Sequence, residues 1–149
     1  TLLNMKFRNE SLQDIFPGGV YRNYLQILIP RDSIIKKVTF GNEPVEDYHQ
    51  EIGQFKKIGF FFETPLQTTT EVTIEYQSLK GFQKGKSIYQ LLFQKQIGSI
   101  NNDLSLEITF PSNMFLVNQN FSPLVKNNQI LYNTDLSTDK IFFIELLKE

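Results

Sequence analysis

Leu104-Ser105-Leu106-Glu107-Ile108-Thr109-Phe110, closed by Pro111, alternates apolar and polar side chains without a break. A side-chain period of two puts Leu104, Leu106, Ile108 and Phe110 on one face, and Ser105, Glu107 and Thr109 on the other. That pattern predicts a strand with one face on a core and the other in water. Working outward, the same grammar predicts strands at Leu3–Phe7, Tyr21–Ile29, Ile34–Phe40, Ile58–Glu63, Glu71–Tyr76, Ser87–Gln94, Ile130–Tyr132 and Lys140–Leu147. The three consecutive phenylalanines, Phe60, Phe61 and Phe62, predict a stretch covered on both faces or a strand that changes sheets. Turn-forming residues separate these segments: Pro17-Gly18-Gly19, Gly41-Asn42, Lys80-Gly81, Gly98-Ser99 and Asn101-Asn102-Asp103. Only Glu43–Phe55 leaves room for a short helix. Strand follows strand without 10–15-residue helical patterns between them, which argues against parallel βαβ units. The expected fold is all-β: an immunoglobulin-like or fibronectin-like antiparallel β-sandwich of about seven to nine strands, with at most one short helix.

The 149 residues suit one domain over 1–149, large enough to bury roughly two-thirds of the unfolded surface. A formal net charge of −1 gives no basic excess to attract nucleic acid or anionic lipid, so neither is an expected partner. The absence of cysteine removes disulfides, thiolate metal sites and cysteine nucleophiles together. No apolar run is long enough for a membrane span, and no signal peptide is recognisable. The chain opens at Thr1 rather than Met, which reads as an excised fragment of a longer protein.

Candidate chemistry is sparse. His49 is the single histidine, and the Gly-x-Ser-x-Gly elbow that would supply a partner nucleophile is absent. In Asp47-Tyr48-His49-Gln50-Glu51 it has acidic neighbours that suit a metal, but most transition-metal sites need a second histidine. Glu43, Glu46, Asp47 and Glu51 crowd one segment. Two such carboxylates facing each other across a sugar run glycoside hydrolysis, and loop oxygens suit calcium; a solvated polar loop is the simpler reading. Lys80, Lys84 and Lys86, interleaved with Gly81, Phe82 and Gly85, suit an anionic polymer or, more simply, a lysine-rich hairpin loop. Gly81-x3-Gly85-Lys86-Ser87 has one residue too few between its glycines for a phosphate loop. Asn9-Glu10-Ser11 and Asn120-Phe121-Ser122 match the N-glycosylation triplet, and Tyr48 and Tyr132 are candidates for stacking on sugar rings. None of these is assigned as a catalytic, cofactor-binding or metal residue, and no cofactor is expected.

A longer arrangement goes beyond strand grammar. Asn23-Tyr24-Leu25-Gln26-Ile27-Leu28-Ile29-Pro30 is followed by Gly59-Phe60-Phe61-Phe62-Glu63-Thr64-Pro65. Then come Thr70-Glu71-Val72-Thr73-Ile74-Glu75-Tyr76 and Tyr89-Gln90-Leu91-Leu92-Phe93-Gln94-Lys95-Gln96-Ile97-Gly98. Taken in order, over about Tyr21–Pro111, this resembles the C-terminal region of the bacterial domain-of-unknown-function 4012 family. Ile97 stands where that family usually has Pro, and Gln26 where it often has Arg. The resemblance implies a membrane-anchored, envelope-exposed parent protein and brings no catalytic residues. In Gln94-Lys95-Gln96 the two amides are expected to point opposite Lys95 and tie neighbouring loops together, with a ligand-binding role as the second reading. The functional expectation is a non-catalytic extracellular interaction or spacer module of a bacterial cell-surface protein, with an envelope protein or polysaccharide as partner. The alternative is a module that binds cell-envelope polysaccharide, and behind it a glycan-active hydrolase.

Overall fold

The computed structural model describes residues 1–16, 18–79, 81–96 and 101–149. The expectations placed on Pro17, Lys80, Ile97, Gly98 and Ser99 lie outside them. Among the described residues the protein is all-β, with antiparallel pairing throughout and no helix. The chain forms two compact units, Thr1–Gly81 and Phe82–Glu149.

The first unit contains β1 (Leu2–Arg8), β2 (Tyr21–Pro30), β3 (Ile34–Phe40), β4 (Glu43–Pro44), β5 (His49–Ile52), β6 (Phe55–Thr64) and β7 (Thr69–Gln77). They form two sheets, β1-β7-β3-β4 and β2-β6-β5. Val38, Val72 and Ile74 from the first sheet join Ile29, Ile58, Phe60 and Phe62 from the second in one buried cluster, so the unit is a sandwich. In the immunoglobulin order the second strand lies between the first and fifth. Here the second strand pairs with the sixth, and the seventh lies between the first and third. Gly41, at a φ of 58°, makes the tight β3–β4 turn in a conformation that a β-carbon would disfavour.

The second unit contains β8 (Gly85–Phe93), β9 (Asp103–Thr109), β10 (Met114–Gln119), β11 (Leu124–Lys126), β12 (Gln129–Asp135) and β13 (Lys140–Lys148). Its sheets are β10-β13-β8 and β11-β12-β9. Leu106, Phe110, Met114, Ile130, Tyr132, Phe142, Ile144 and Leu146 form its core, with Leu104 and Ile108 packed against them. The Leu104–Phe110 alternation thus faces inward as its period requires.

Among the described residues all nine expected strands form, and four others, β4, β5, β10 and β11, join them. Glu43–Phe55 is not helical. It gives β4, a connection, and β5, which pairs with β6 from His49↔Gly59 to Ile52↔Lys56. An isolated helical turn is marginal in water, whereas this path carries Val45 and Tyr48 onto the core and gives β5 a ladder partner. The phenylalanine run follows the simple period of two: Phe60 and Phe62 are buried, while Phe61 is 81 % exposed. The expectation that all three are covered is overturned at Phe61.

Candidate functional site

The outer face of β2-β6-β5 is built by register. Tyr24 lies opposite Phe61, Gln26 opposite Gly59, and Arg22 opposite Glu63, while His49 flanks Gly59 from the other side. The Tyr24 and Phe61 ring centroids are 4.5 Å apart at 42°. Gly59 makes room for this arrangement. A β-carbon there would stand 2.5 Å from the Tyr24 hydroxyl and 3.0 Å from its Cζ, so the tyrosine ring lies over a bare backbone. Glycine inside a strand commonly marks such a close approach.

Two ion pairs border the rings. Arg22 Nε meets Glu63 Oε1 at 2.9 Å, and Lys57 Nζ meets Glu51 Oε2 at 2.5 Å. The Lys57 hydrogen bond and charge hold the Glu51 carboxyl below its ordinary range, and Glu51 raises Lys57 in return. Among the described residues none hydrogen-bonds the Gln26 amide or the His49 ring, so both are available to a ligand.

The acidic segment does not gather into one site. Glu43 lies on β4 in one sheet, Glu51 on β5 in the other, and Glu46 and Asp47 are exposed on the connection between them. Among the described residues no three His, Asp or Glu side chains stand close enough to share a metal ion.

Beside this face lies a groove. β2 pairs with β6 along its whole length, from Phe55 to Thr64, but β5 covers only Lys56–Gly59. The backbone beyond Gly59 therefore has no strand neighbour on that side among the described residues. Next to it is a cavity of about 490 Å³ whose lining includes Phe40, Val45, Phe60, Phe62 and Glu63.

The second unit offers a contrast between its two outer faces. On β9 and β12 the outward residues bond to one another. Ser105 Oγ donates to Asn133 Oδ1 at 3.0 Å, and Gln129 Nε2 donates to Glu107 Oε1 at 3.1 Å. On β8, β13 and β10 the outward residues include Ile88, Leu92, Ile141, Phe115 and Val117, each between 43 % and 61 % exposed. One ion pair, Lys86 Nζ to Glu145 Oε1 at 3.4 Å, crosses that apolar face.

Other residues picked out in the sequence turn out to hold the fold. Asn9 is buried, donating to Gly19 O (2.8 Å) and Thr64 O (2.9 Å) and accepting from Ser11 N–H (3.0 Å). Its amide nitrogen is occupied, as is that of Asn120, which donates to Ile141 O at 2.7 Å. Tyr132 is 3 % exposed and Tyr48 packs against the core, so neither presents a ring to a sugar. Phe82 packs against the second core, and its carbonyl accepts from Lys148 Nζ. Lys84 is exposed, and Lys86 is engaged with Glu145. Gln94-Lys95-Gln96 lies past the end of β8, with the Lys95 N–H donating to Asp139 Oδ1 at 2.8 Å. Tyr24 and Phe61 were missed as candidates. The available signal was the single exposed position that period-two alternation demands within a phenylalanine triplet.

Compared with known proteins, the chain matches no family model, no curated protein and no solved structure. Among the described residues no helix is long and apolar enough to cross a membrane, which says nothing of strand-built spans.

Proposed function

We propose that this chain is a non-catalytic interaction or spacer module of a bacterial cell-surface protein, with its partner docked on the outer face of β8, β13 and β10. The observation that carries the reading is the difference between the two outer faces of one unit. On one, β9 and β12 pair their polar groups in a cross-strand ladder, with Leu124 of β11 exposed at the edge; the other shows Ile88, Leu92, Phe115, Val117 and Ile141 to solvent. The exposed apolar area is on the order of 500 Å², at the upper end for the largest patch of a monomer. Covering it would contribute roughly 12 kcal/mol at 25 cal/mol per Å², comparable with the cost of association. The extracellular location and the membrane-anchored parent rest on the likeness to the domain-of-unknown-function 4012 family.

The test uses a photo-crosslinking side chain at Leu92, with a control at Ser105 on the polar face, applied to intact host cells. A discrete protein adduct from Leu92, absent from Ser105 and lost with Ile88→Lys, is the expected result. Equal labelling from both faces would overturn the reading.

A second reading, binding of a cell-envelope polysaccharide, is favoured by the Tyr24–Phe61 pair and the available Gln26 and His49 groups around it. Rings of this kind stack on sugars while neighbouring amides bond to hydroxyls. On a panel of envelope glycans, Tyr24→Ala then abolishes retention; unchanged retention ends this reading.

A further inference from the structure

We infer that the open edge of β6 and the groove beside it form a second interaction site, which takes an extended, basic-flanked peptide segment of a protein partner by strand addition. This goes beyond the docking face on β8, β13 and β10: it lies in the other unit and recognises its partner by different chemistry.

Three observations converge. The first is backbone valence. β5 leaves β6 after Gly59, while β2 continues beside it to Thr64. The Glu63 carbonyl accepts from Thr70 Oγ1 at 3.3 Å, so the open length is Phe60–Phe62, of which alternate residues turn their N–H and C=O away from β2. An edge of this kind is a template for another strand, and main-chain hydrogen bonds supply affinity when one is added.

The second is shape. The side chains of a strand laid against Phe60–Phe62 alternate in direction. One set enters the cavity of about 490 Å³, whose lining includes Phe40, Val45, Phe60 and Phe62; the other lies on the outer side, beside Phe61, which also lines the cavity and is 81 % exposed. Apolar residues at alternate positions fit the first set.

The third is charge. Among the described residues the groove lining holds one carboxylate, Glu63, already paired with Arg22, and no Lys, Arg or His, so the unpaired negative charge lies at its rim. Val45 enters that lining from a segment that also carries Glu43, Glu46 and Asp47, all exposed. Cationic residues at the ends of the incoming segment complement this rim, and steering of that kind weakens with salt. Glu43, Glu46 and Asp47, on β4 and the connection that follows it, thus acquire a role in selecting the partner.

The test is a titration of the ¹⁵N-labelled chain with three synthetic peptides of about seven residues. One alternates Val with Thr and ends in Lys at both termini. The second replaces the central backbone donors with Pro, and the third ends in Glu. The Lys-ended peptide is expected to move the amide resonances of Phe60–Phe62, with weakening on the order of tenfold for each of the other two. Glu46→Lys combined with Asp47→Lys, both at exposed positions, reverses the preference between Lys-ended and Glu-ended peptides. No binding by the Lys-ended peptide, equal binding of all three, or shifts confined to other strands would overturn the proposal. So would concentration-dependent shifts of Phe60–Phe62 in the peptide-free chain, which would assign the edge to a second copy. The crosslinking result at Leu92 stands or falls separately.

Discussion

Tyr132 carries its hydroxyl into the core of Phe82–Glu149, where among the described residues nothing accepts or donates to it. The ring itself is well placed. It is 3 % exposed and stacks against Phe142 at 4.8 Å, with Phe121 edge-on at 6.4 Å. The sequence allowed an exposed, sugar-stacking tyrosine here because a strand residue reads the same whether its face is inner or outer until the partner sheet is known. A buried hydroxyl without a partner costs its desolvation, about 1–3 kcal/mol, and removing it keeps the packing. Tyr132→Phe is therefore expected to leave stability unchanged or raise it by about 1 kcal/mol in urea unfolding. Burial also pushes the phenol above its ordinary range. Below a pH of about 10 both folded and unfolded phenols are neutral, and this group makes no pH-dependent difference. Above it the unfolded chain releases its proton first, so stability is lost as pH rises toward the folded value. Wild type should lose stability more steeply than Tyr132→Phe above pH of about 10. Parallel curves, or a clear loss of stability in the variant at neutral pH, would show that the hydroxyl has a partner.

At the scale of elements, the β10–β13 ladder is extended by a side chain. Beyond Gln119 the Asn120 N–H donates to Phe143 O at 3.2 Å. Its Oδ1 accepts from the Phe143 N–H at 2.9 Å, and its Nδ2 donates to Ile141 O at 2.7 Å. Asn120→Ala leaves the Phe143 N–H and the Ile141 carbonyl short of a partner, and is expected to cost about 1–3 kcal/mol. Faster exchange of the Phe143 amide should accompany it. A loss below about 0.5 kcal/mol with unchanged exchange would mean that water replaces the amide without penalty. The same ladder shows what alternation reveals and what it hides. β9 is legible because seven residues alternate without a break. β10 is not, because its register shifts between Leu116 and Asn118, leaving Val117 and Asn118 both exposed. β4, β5 and β11 span two, four and three residues, too short to set a period. The candidate site was concealed differently. A triple phenylalanine fits either frame, so which ring faces water depends on where Ile58 and Thr64 point, and both prove to be fully buried.

At the scale of the whole molecule, length argued for one core, but the buried side chains collect in two clusters that share no residue. Nothing in the composition marks the division at Gly81–Phe82, since strands with the same inward alternation stand on both sides of it. Among the described residues, each cluster is enclosed by two sheets of its own unit. The units, of 81 and 68 residues (1–81 and 82–149), each exceed the 55–65 residues at which many domains fold alone. The fragment 1–81 is therefore expected to fold by itself, with a dispersed amide spectrum and a cooperative thermal transition. Its core draws only on Ile29, Val38, Ile58, Phe60, Phe62, Val72, Ile74 and their neighbours in that fragment. The fragment 82–149 should also fold, with the narrower margin of a shorter chain and the apolar face of β8, β13 and β10 open to self-association. Concentration-dependent sedimentation of 82–149, suppressed by Ile88→Lys, separates that face from a failure to fold. A collapsed, undispersed spectrum for 1–81 would show instead that its two sheets are not sufficient to close their own core.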